Sequence, residues 1–512
     1  MLALDSSAGA EADWNTTLPR GQIRQIRFTT QEGTWMSVDA SPDGRWVVFD
    51  LLAQVYRIPI EGGRAECLTQ ASGVALNYHP RYSPDGSHLA FISDRAGQDN
   101  LWVMRADGTE PRLIWGESDA RHSQPVWMPD GQSLIVRRQR FEPRPHWERE
   151  NGLWQVPVGE GEPRELVNDE VPAASWPSVS PDGRYLYFHT FLGEHLPSGR
   201  ASTLDGYWQL RRLDLSVDQS VILTPGISDQ QSRASSGGAF APEISPDGRW
   251  LAFARQIPDG TLEYRGHSFG PRTALWLRDL ETGSERLLMD PIEKDSTEGE
   301  GALRVLPGYG WTPAGDALLV SQGGRLRRVA LDTGRVTTLP FEAEVRREIS
   351  EMARGRVEVS GEPFEARFIR WPSLSPPRTQ LAFEAAGRIW IRSVLSGAIR
   401  RLTPGDFGEV FELAPSWSPD GRWIAFVTSE NRGGGHVWKV DTTGLASPVR
   451  LTDSPGDYAN PVWSADGRSV VVARGAGATA RDRGMIFNGW FDLVRFPASG
   501  GNPTVLAATS GS

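Results

Sequence analysis

A four-residue turn recurs through the whole chain and constrains its fold more than any other feature. It reads Ser41-Pro42-Asp43-Gly44, Ser83-Pro84-Asp85-Gly86, Met128-Pro129-Asp130-Gly131, Ser180-Pro181-Asp182-Gly183, Ser245-Pro246-Asp247-Gly248 and Ser418-Pro419-Asp420-Gly421. Degenerate copies stand at Thr312-Pro313-Ala314-Gly315, Ser375-Pro376-Pro377-Arg378 and Ser464-Ala465-Asp466-Gly467. Their third positions are 42, 45, 52, 65, 67, 63, 43 and 46 residues apart. Proline presets φ near −65°, aspartate bonds the backbone locally and glycine takes φ > 0, so each copy reads as a hairpin corner.

A short apolar run follows each corner, for example Trp46-Val47-Val48-Phe49, Leu89-Ala90-Phe91-Ile92 or Ile424-Ala425-Phe426-Val427. Its β-branched and aromatic composition reads as a buried strand. A third strand comes next, as in Leu101-Trp102-Val103-Met104, and a fourth ends in Cys67-Leu68-Thr69, Arg401-Leu402-Thr403 or Arg450-Leu451-Thr452. Four strands per ~40–45 residues is the period of a β-propeller blade. The chain is therefore expected to be all-β, a propeller of about eight or nine four-stranded blades. Nine corners exceed one ordinary ring, so one large ring or two adjacent propellers both stay open. Blades 1–5 are expected over residues 20–289 and blades 6–9 over 301–508, contiguous with the first set or a second propeller, with the acidic stretch Asp290 to Glu300 between them. The segment Ile23 to Phe28 looks like an edge strand that would close a ring by joining the last blade.

Composition narrows function by exclusion. A net charge of −10 argues against a phosphate backbone as partner. No window approaches the ~18 continuous apolar residues of a spanning helix, so no membrane insertion is expected. The first twenty residues lack the basic and apolar regions of a signal peptide. Cys67 is the one cysteine, so no intrachain disulfide can form. There is no His-x-His pair, and the eight histidines are scattered among blades. A zinc site needs convergent ligands, so neither a metal nor any other cofactor is expected.

The pattern Trp-Ser-Pro-Asp-Gly-x-x-Ile-Ala-Phe, together with Ser93-Asp94-Arg95 and Asp99-Asn100-Leu101-Trp102, resembles the TolB-like propeller repeat, the PD40 variety of WD40-like blade. The run Glu32 to Asp39, continuing through Phe49-Asp50-Leu51-Leu52 into Tyr56 to Gly63, is similar to the opening of bacterial TolB-like propellers fused to an amidohydrolase domain. The likeness spans roughly residues 20 to 505. It implies that hydrolysis belongs to a separate or C-terminal metal-dependent domain, that no catalytic residue lies in this chain, and that the protein works in the periplasm or outside the cell.

Three motifs compete with that reading. Gly266-His267-Ser268-Phe269-Gly270 spells a hydrolase nucleophile elbow, but the elbow works only on a strand-to-helix turn, and Pro271 with the β-like Thr273 to Leu277 follows it here. Ser93-Asp94-Arg95 with Asp99 could clamp a ligand, although tying a blade's own loop is the simpler use. The tryptophans Trp46, Trp102, Trp127, Trp250, Trp276, Trp417, Trp423, Trp438 and Trp463 fall at repeat strand positions and read as core.

Insertions mark where the repeat departs from its frame, because loops lengthen freely while strands are fixed by packing. Four fall after the second strand of a blade: 139–151, 190–206, 256–272 and 475–488. Long connections between blades, 290–308 and 341–367, open on the same end. The elaborated face would carry Arg140, Arg144, His146, Trp147, His195, Arg200, Arg265, His267, Arg272, Arg481 and Arg483, types enriched in recognition surfaces. A protein or peptide-like ligand is the expected partner. The alternatives are a hydrolase in its own right, using Ser268 or a metal, and a cell-envelope interaction scaffold.

Overall fold

The computed structural model describes residues 16–140, 151–193, 206–224, 239–257, 262–264, 267–269, 272–292, 307–350, 364–430, 434–475 and 491–508, except positions 20, 169, 170, 172, 173, 291, 406, 409 and 444. Among these residues the chain forms nine blades of four antiparallel strands each, the first extended by two more strands, and a separate two-stranded hairpin of Leu262–Tyr264 and His267–Phe269 inserted in the fifth. The corners lie between the first and second strand of every sheet, where the turn chemistry placed them. In the first corner Gly44 N–H donates to Ser41 O (2.9 Å), Ser41 Oγ donates to Asp43 Oδ1 (2.6 Å) and Trp46 N–H donates to Ser41 Oγ (2.9 Å). The serine bond, then the Arg45 amide, hold the Asp43 carboxyl down at about 2. The degenerate copies find substitutes. Asp316 accepts the Thr312 hydroxyl (2.6 Å) in place of the missing third-position aspartate, and Arg378 takes the glycine's left-handed conformation with φ of 59°.

Two compact units divide the chain after residue 356, with 259–270 assigned to the second. The first unit holds six blades. Their innermost strands are Val38–Ala40, Asn77–Tyr82, Ala120–Trp127, Ser175–Val179, Ala239–Ile244 and Gly310–Trp311. Val38–Ala40 touches both Asn77–Tyr82 and Gly310–Trp311, so the six blades close on themselves. Closure is bonded as well as packed: Met36 N–H donates to Ser321 Oγ (3.3 Å) and Val38 N–H to Gly308 O (2.9 Å). A single ring of nine blades is therefore not formed. The expected dividing line at 290–300 lies inside this ring, ahead of its sixth sheet. The second unit carries three successive blades, whose inner strands are Arg370–Leu374, Phe411–Trp417 and Tyr458–Trp463.

The expected ring-closing strand has a different partner. Ile23–Thr30 pairs antiparallel with Phe341–Ser350, which runs parallel to Gly63–Cys67 on the outer edge of blade 1. The last blade already owns four strands, whereas Phe341, Ala343 and Val345 turn inward to pack against the core of blade 1. The Phe341 and Phe49 rings meet at 5.0 Å.

Each seam between blades of the first unit is filled by one apolar cluster. Val48, Leu89 and Phe91 join blades 1 and 2, while Leu210, Ile244 and Phe253 join blades 4 and 5. Full burial of one such phenylalanine contributes about 1.5–3 kcal/mol. Tryptophans at the inner strands add a directional bond across the seam. Trp127, Trp311, Trp417 and Trp463 donate Nε1–H to the carbonyls of Arg81, Glu243, Ser373 and Ser416 of the preceding blade. Trp127, Trp417 and Trp463 are buried as expected. Trp46, Trp102, Trp250, Trp276, Trp423 and Trp438 are only half-buried, and the first five are roofed by cations such as Arg57, Arg95, Arg249, Arg255 and Arg422.

Candidate functional site

Seven inner strands share a kink that the corner hides in sequence. His79, Gln124, Trp176, Ala241, Trp371, Ala414 and Asn460 all have φ between 49° and 56°, except Trp371 at 46°, and each precedes a proline. The strand register shifts at every one of them. Proline bars αR for the residue before it, and a left-handed non-glycine residue costs about 1–2 kcal/mol. In the ring that cost is offset by bonds to the bulge amide from a side chain of the preceding blade. His79 N–H donates to Asp50 Oδ2 (2.9 Å), Gln124 N–H to His79 Nδ1 (3.4 Å), Trp176 N–H to Gln124 Oε1 (2.8 Å) and Ala241 N–H to His189 Nδ1 (3.0 Å). The bulges thus lock neighbouring blades together and turn His79, Gln124 and Trp176 toward the ring axis.

Two residues before each corner of the ring comes a second layer: Asp39, Arg81, Val126, Ser178, Glu243 and Gly310 occupy equivalent positions in blades 1 to 6. Arg81 crosses the axis. Its Nη2 meets Glu243 Oε1 of blade 5 at 2.8 Å, its Nη1 lies 3.7 Å from Asp39 Oδ1 of blade 1, and the same nitrogen donates to Tyr309 O at 3.0 Å. Glu243 also accepts Trp176 Nε1–H (3.2 Å) and the Ser178 hydroxyl (3.4 Å), and Asp39 Oδ2 accepts Tyr82 N–H (2.8 Å). Gly310 in blade 6 leaves this crossing room. A Cβ on Gly310 would stand 3.0 Å from Asp39 Oδ1 and 3.3 Å from Arg81 Nη1.

One guanidinium facing two carboxylates leaves a proton to be placed. Burial pushes the Glu243 carboxyl up to about 7, against the pull of Arg81 and with a further push from Asp39. Asp39 is raised too, by burial, with Arg81 opposing. Burial works against the Arg81 charge, but Glu243 and Asp39 outweigh it and raise its pKa. Tyr309 is held neutral by burial and by Glu243.

Above this plug lies a small cavity of about 20 Å³, lined by Ser37, His79, Arg81, Gln124, Pro125, Trp176, Pro177 and Gly308. It lies at the bulge level of the inner strands, away from the Pro-Asp-Gly corners and toward the end where second strands pass to third strands. Its wall is rich in donors. Gln124 Nε2 is buried with no partner among the described residues. Because His79 Nδ1 accepts the Gln124 amide, the imidazole proton sits on Nε2. Ser37 Oγ accepts Gly308 N–H (3.1 Å), which leaves its own hydrogen as a donor. Of the ionisable lining residues, Arg81 and His79 are basic and none is a carboxylate.

Of the residues chosen from sequence, Arg140, His267 and Arg272 are described, and none of them lines this cavity. Arg140 ends the strand Ser133–Arg140 and pairs with Asp119 at 3.2 Å. His267 and Arg272 stand at strand positions, in His267–Phe269 and at the start of Arg272–Asp279. Arg144, His146, Trp147, His195, Arg200, Arg265, Arg481 and Arg483 lie outside the described residues. Ser268 sits in a β-hairpin opposite Glu263, and the next described element is again a strand, so the strand-to-helix turn of a nucleophile elbow is not built there. The Ser93-Asp94-Arg95 group ties its own blade, with Asp94 Oδ1 accepting Leu76 N–H (2.8 Å) and Arg95 Nη2 donating to Asn77 Oδ1 (2.5 Å). The axial set had one sequence signal, a proline three residues ahead of the corner in seven of nine repeats, as in Pro80, Pro125, Pro177 and Pro242.

Comparison with known proteins identifies residues 18–195 as a match to the TolB beta propeller domain family, PD40. An uncharacterized peptidase of Bacillus subtilis, YuxL, is 28% identical over 183 residues, which span 35% of this chain and 22% of that protein. An uncharacterized protein of Agrobacterium fabrum, Atu1656, is 24% identical over 307 residues, 58% of this chain and 89% of its own. The solved structure of a putative TolB from Agrobacterium tumefaciens superposes with a TM-score of 0.39 at 19% identity, covering 58% of this chain and 96% of that one.

Proposed function

We propose, from the premise that the chain is a TolB-like β-propeller, that its six-bladed ring is a non-catalytic recognition module that meets a protein or peptide-like ligand at its donor-lined axis. The observation that carries this reading is the donor-lined cavity at the ring axis, floored by Arg81. Its volume of about 20 Å³ admits about one water, so a ligand would meet these donors at the cavity's mouth and not inside it. Any hydrolysis would fall to a separate amidohydrolase-type domain that this module gates or supports.

The test is capture of peptides by the whole chain. A random hexapeptide pool is passed over immobilised protein, and the retained species are counted by mass spectrometry. Gln124→Glu is the discriminating variant, since it keeps the oxygen that holds Trp176 N–H and replaces the buried donor by an acceptor. Retention by wild type that falls at least tenfold in the variant supports the reading. Equal retention by both, or none by either, refutes it.

A further inference from the structure

We infer that the second unit, blades 7 to 9, completes a six-bladed ring by pairing head to tail with the same unit of a second copy of this chain. The inference goes beyond the recognition reading above and is independent of it, since it concerns the end faces of the second unit and not the axis of the first.

The repeat itself shows which faces are open. Among the described residues the apolar clusters coincide with the seams, six in the ring and two in the second unit, and each joins the trailing face of one blade to the leading face of the next. The residue just before the corner belongs to the leading face. It is 7–9% exposed in eight blades, as in Ala40, Trp127 and Trp463, but Leu374 of blade 7 is 53% exposed. The third residue after the corner is fully buried in the same eight, as in Leu89, while Leu381 is only half-buried. The trailing faces depart from the pattern at the other end. The third-strand residue equivalent to Leu101 and Val437 is 0–1% exposed in eight blades, whereas Leu493 of blade 9 is 42% exposed. Val471, equivalent to the buried Ala90 and Ala425, is half-buried as well. Blade 7 thus presents a leading face, and blade 9 a trailing face, whose seam side chains meet solvent.

A second copy is the occupant that fits both faces at once. The unit already buries faces of these two kinds against each other, through Ala382, Ile389 and Trp417 at one seam and Val427, Val437 and Val470 at the next. The open ends continue that series. Six blades of the same repeat complete a turn in the first unit. Three complete half a turn, and a head-to-tail contact with a half-turn rotation closes after two copies. Such a dimer has two identical seams, each between blade 7 of one copy and blade 9 of the other. With strands about 4.8 Å apart and about five residues tall at 3.4 Å each, a four-stranded face covers about 320 Å², so two seams bury about 1,300 Å². A stable, specific interface buries about 1,200–2,000 Å². Leu374 stands where Trp417 and Trp463 donate across their seams, so the seam between copies lacks that bond and parts more readily than the two inside the unit.

The experiment is size-exclusion chromatography with light scattering on the full chain at about 1 to 100 μM, the weak end of the affinities that an interface of this size reaches. The expected species at the upper concentration has the mass of two chains. Leu374→Arg and Leu493→Asp each place a charge on one open face, and both side chains are exposed in the single chain, so an unchanged urea midpoint is expected for each. Each variant alone is expected to be monomeric, because both seams of its dimer would bury an unpaired charge. An equimolar mixture of the two is expected to regain the dimer, since one seam of the mixed pair is unaltered and the other sets arginine against aspartate. Leu445→Arg, in an exposed turn of blade 8, is the control and dimerises as wild type does. A wild type that stays monomeric at about 100 μM would overturn the inference. So would a dimer that survives either charged substitution, oligomers that grow beyond two chains, or a mixture of the two variants that remains monomeric.

Discussion

Replacing Arg81 by methionine removes the cation that meets both Glu243 and Asp39 and keeps most of the side-chain volume. Glu243 and Asp39 would then face each other in a site where their side chains are 11% and 17% exposed. Breaking a buried ion pair by deleting one partner costs about 3–5 kcal/mol, because the surviving charge is left uncompensated. The loss must depend on pH, and its sign is fixed. At pH 8 both carboxylates are ionised in the unfolded chain, and the folded variant must either hold two unpaired charges or take up protons at low activity. Acidification supplies those protons to the folded state first, since its carboxyls are the raised ones, so the loss should shrink by about 1.4 kcal/mol per pH unit for each proton taken up. Urea unfolding followed by tryptophan fluorescence at pH 6 and pH 8 reads both quantities. Arg184→Met, which breaks the exposed bridge to Asp214 (2.8 Å), serves as the control and should unfold with the wild type at both pH values. An Arg81→Met variant within about 1 kcal/mol of wild type at pH 8, or one equally destabilised at both pH values, would sink the account of the axial plug.

Two further outcomes follow from the bulges and corners. His189→Phe keeps volume but orphans the buried Ala241 N–H, which should cost about 1–3 kcal/mol at pH 8. Burial, then the nearby Arg137 charge, hold His189 down at about 3; the unfolded chain therefore binds a proton below about 6.5 that the fold refuses, and wild type alone loses about 1.4 kcal/mol by pH 5.5. The gap between wild type and variant should narrow on acidification, and a gap that widens in urea titrations at pH 5.5 and 8 would contradict the assignment. Arg378→Gly should stabilise the second unit by roughly 0.5–1 kcal/mol, as relief of a left-handed arginine (φ of 59°) exceeds the added chain entropy of glycine; a lower urea midpoint for the variant would contradict it.

The blades were legible in sequence because everything that specifies them is local. A corner such as Ser83-Pro84-Asp85-Gly86 carries its own bonds, Ser83 Oγ to Asp85 Oδ1 and His88 N–H to Ser83 Oγ, so its meaning survives without knowledge of the fold. The strand Ile23–Thr30 was legible as an edge strand but not as to its partner, since that depends on where Phe341–Ser350 lies, over 300 residues away in sequence. The elaborated loops were located by their length alone, and length carries no information about the axis. His79, Gln124 and Arg81 went unchosen because each reads locally as an ordinary strand residue beside a proline. Their shared orientation appears only when the repeats are aligned on the proline three places before the corner.

The decisive non-local quantity is the number of blades in the ring. Arg81 belongs to blade 2 and Glu243 to blade 5, 162 residues apart. In a ring of six these two blades stand directly opposite, so equivalent positions on their inner strands point at each other across the axis. In a ring of nine blades 2 and 5 would stand a third of a turn apart, around a wider channel, and the 2.8 Å bond between them could not form. Asp39 meets Arg81 in either case, because blades 1 and 2 are neighbours. The second carboxylate, Glu243, and with it the surplus negative charge, reaches Arg81 only because six blades close. Gly310 fits the same logic, since a Cβ there would crowd Asp39 Oδ1 at 3.0 Å and the crossing guanidinium at 3.3 Å. Alignment of repeats alone would list aspartate, arginine, valine, serine, glutamate and glycine at one site and read them as unrelated variation. Ring closure turns that list into a plug with a single cation, two carboxylates and a cavity above it.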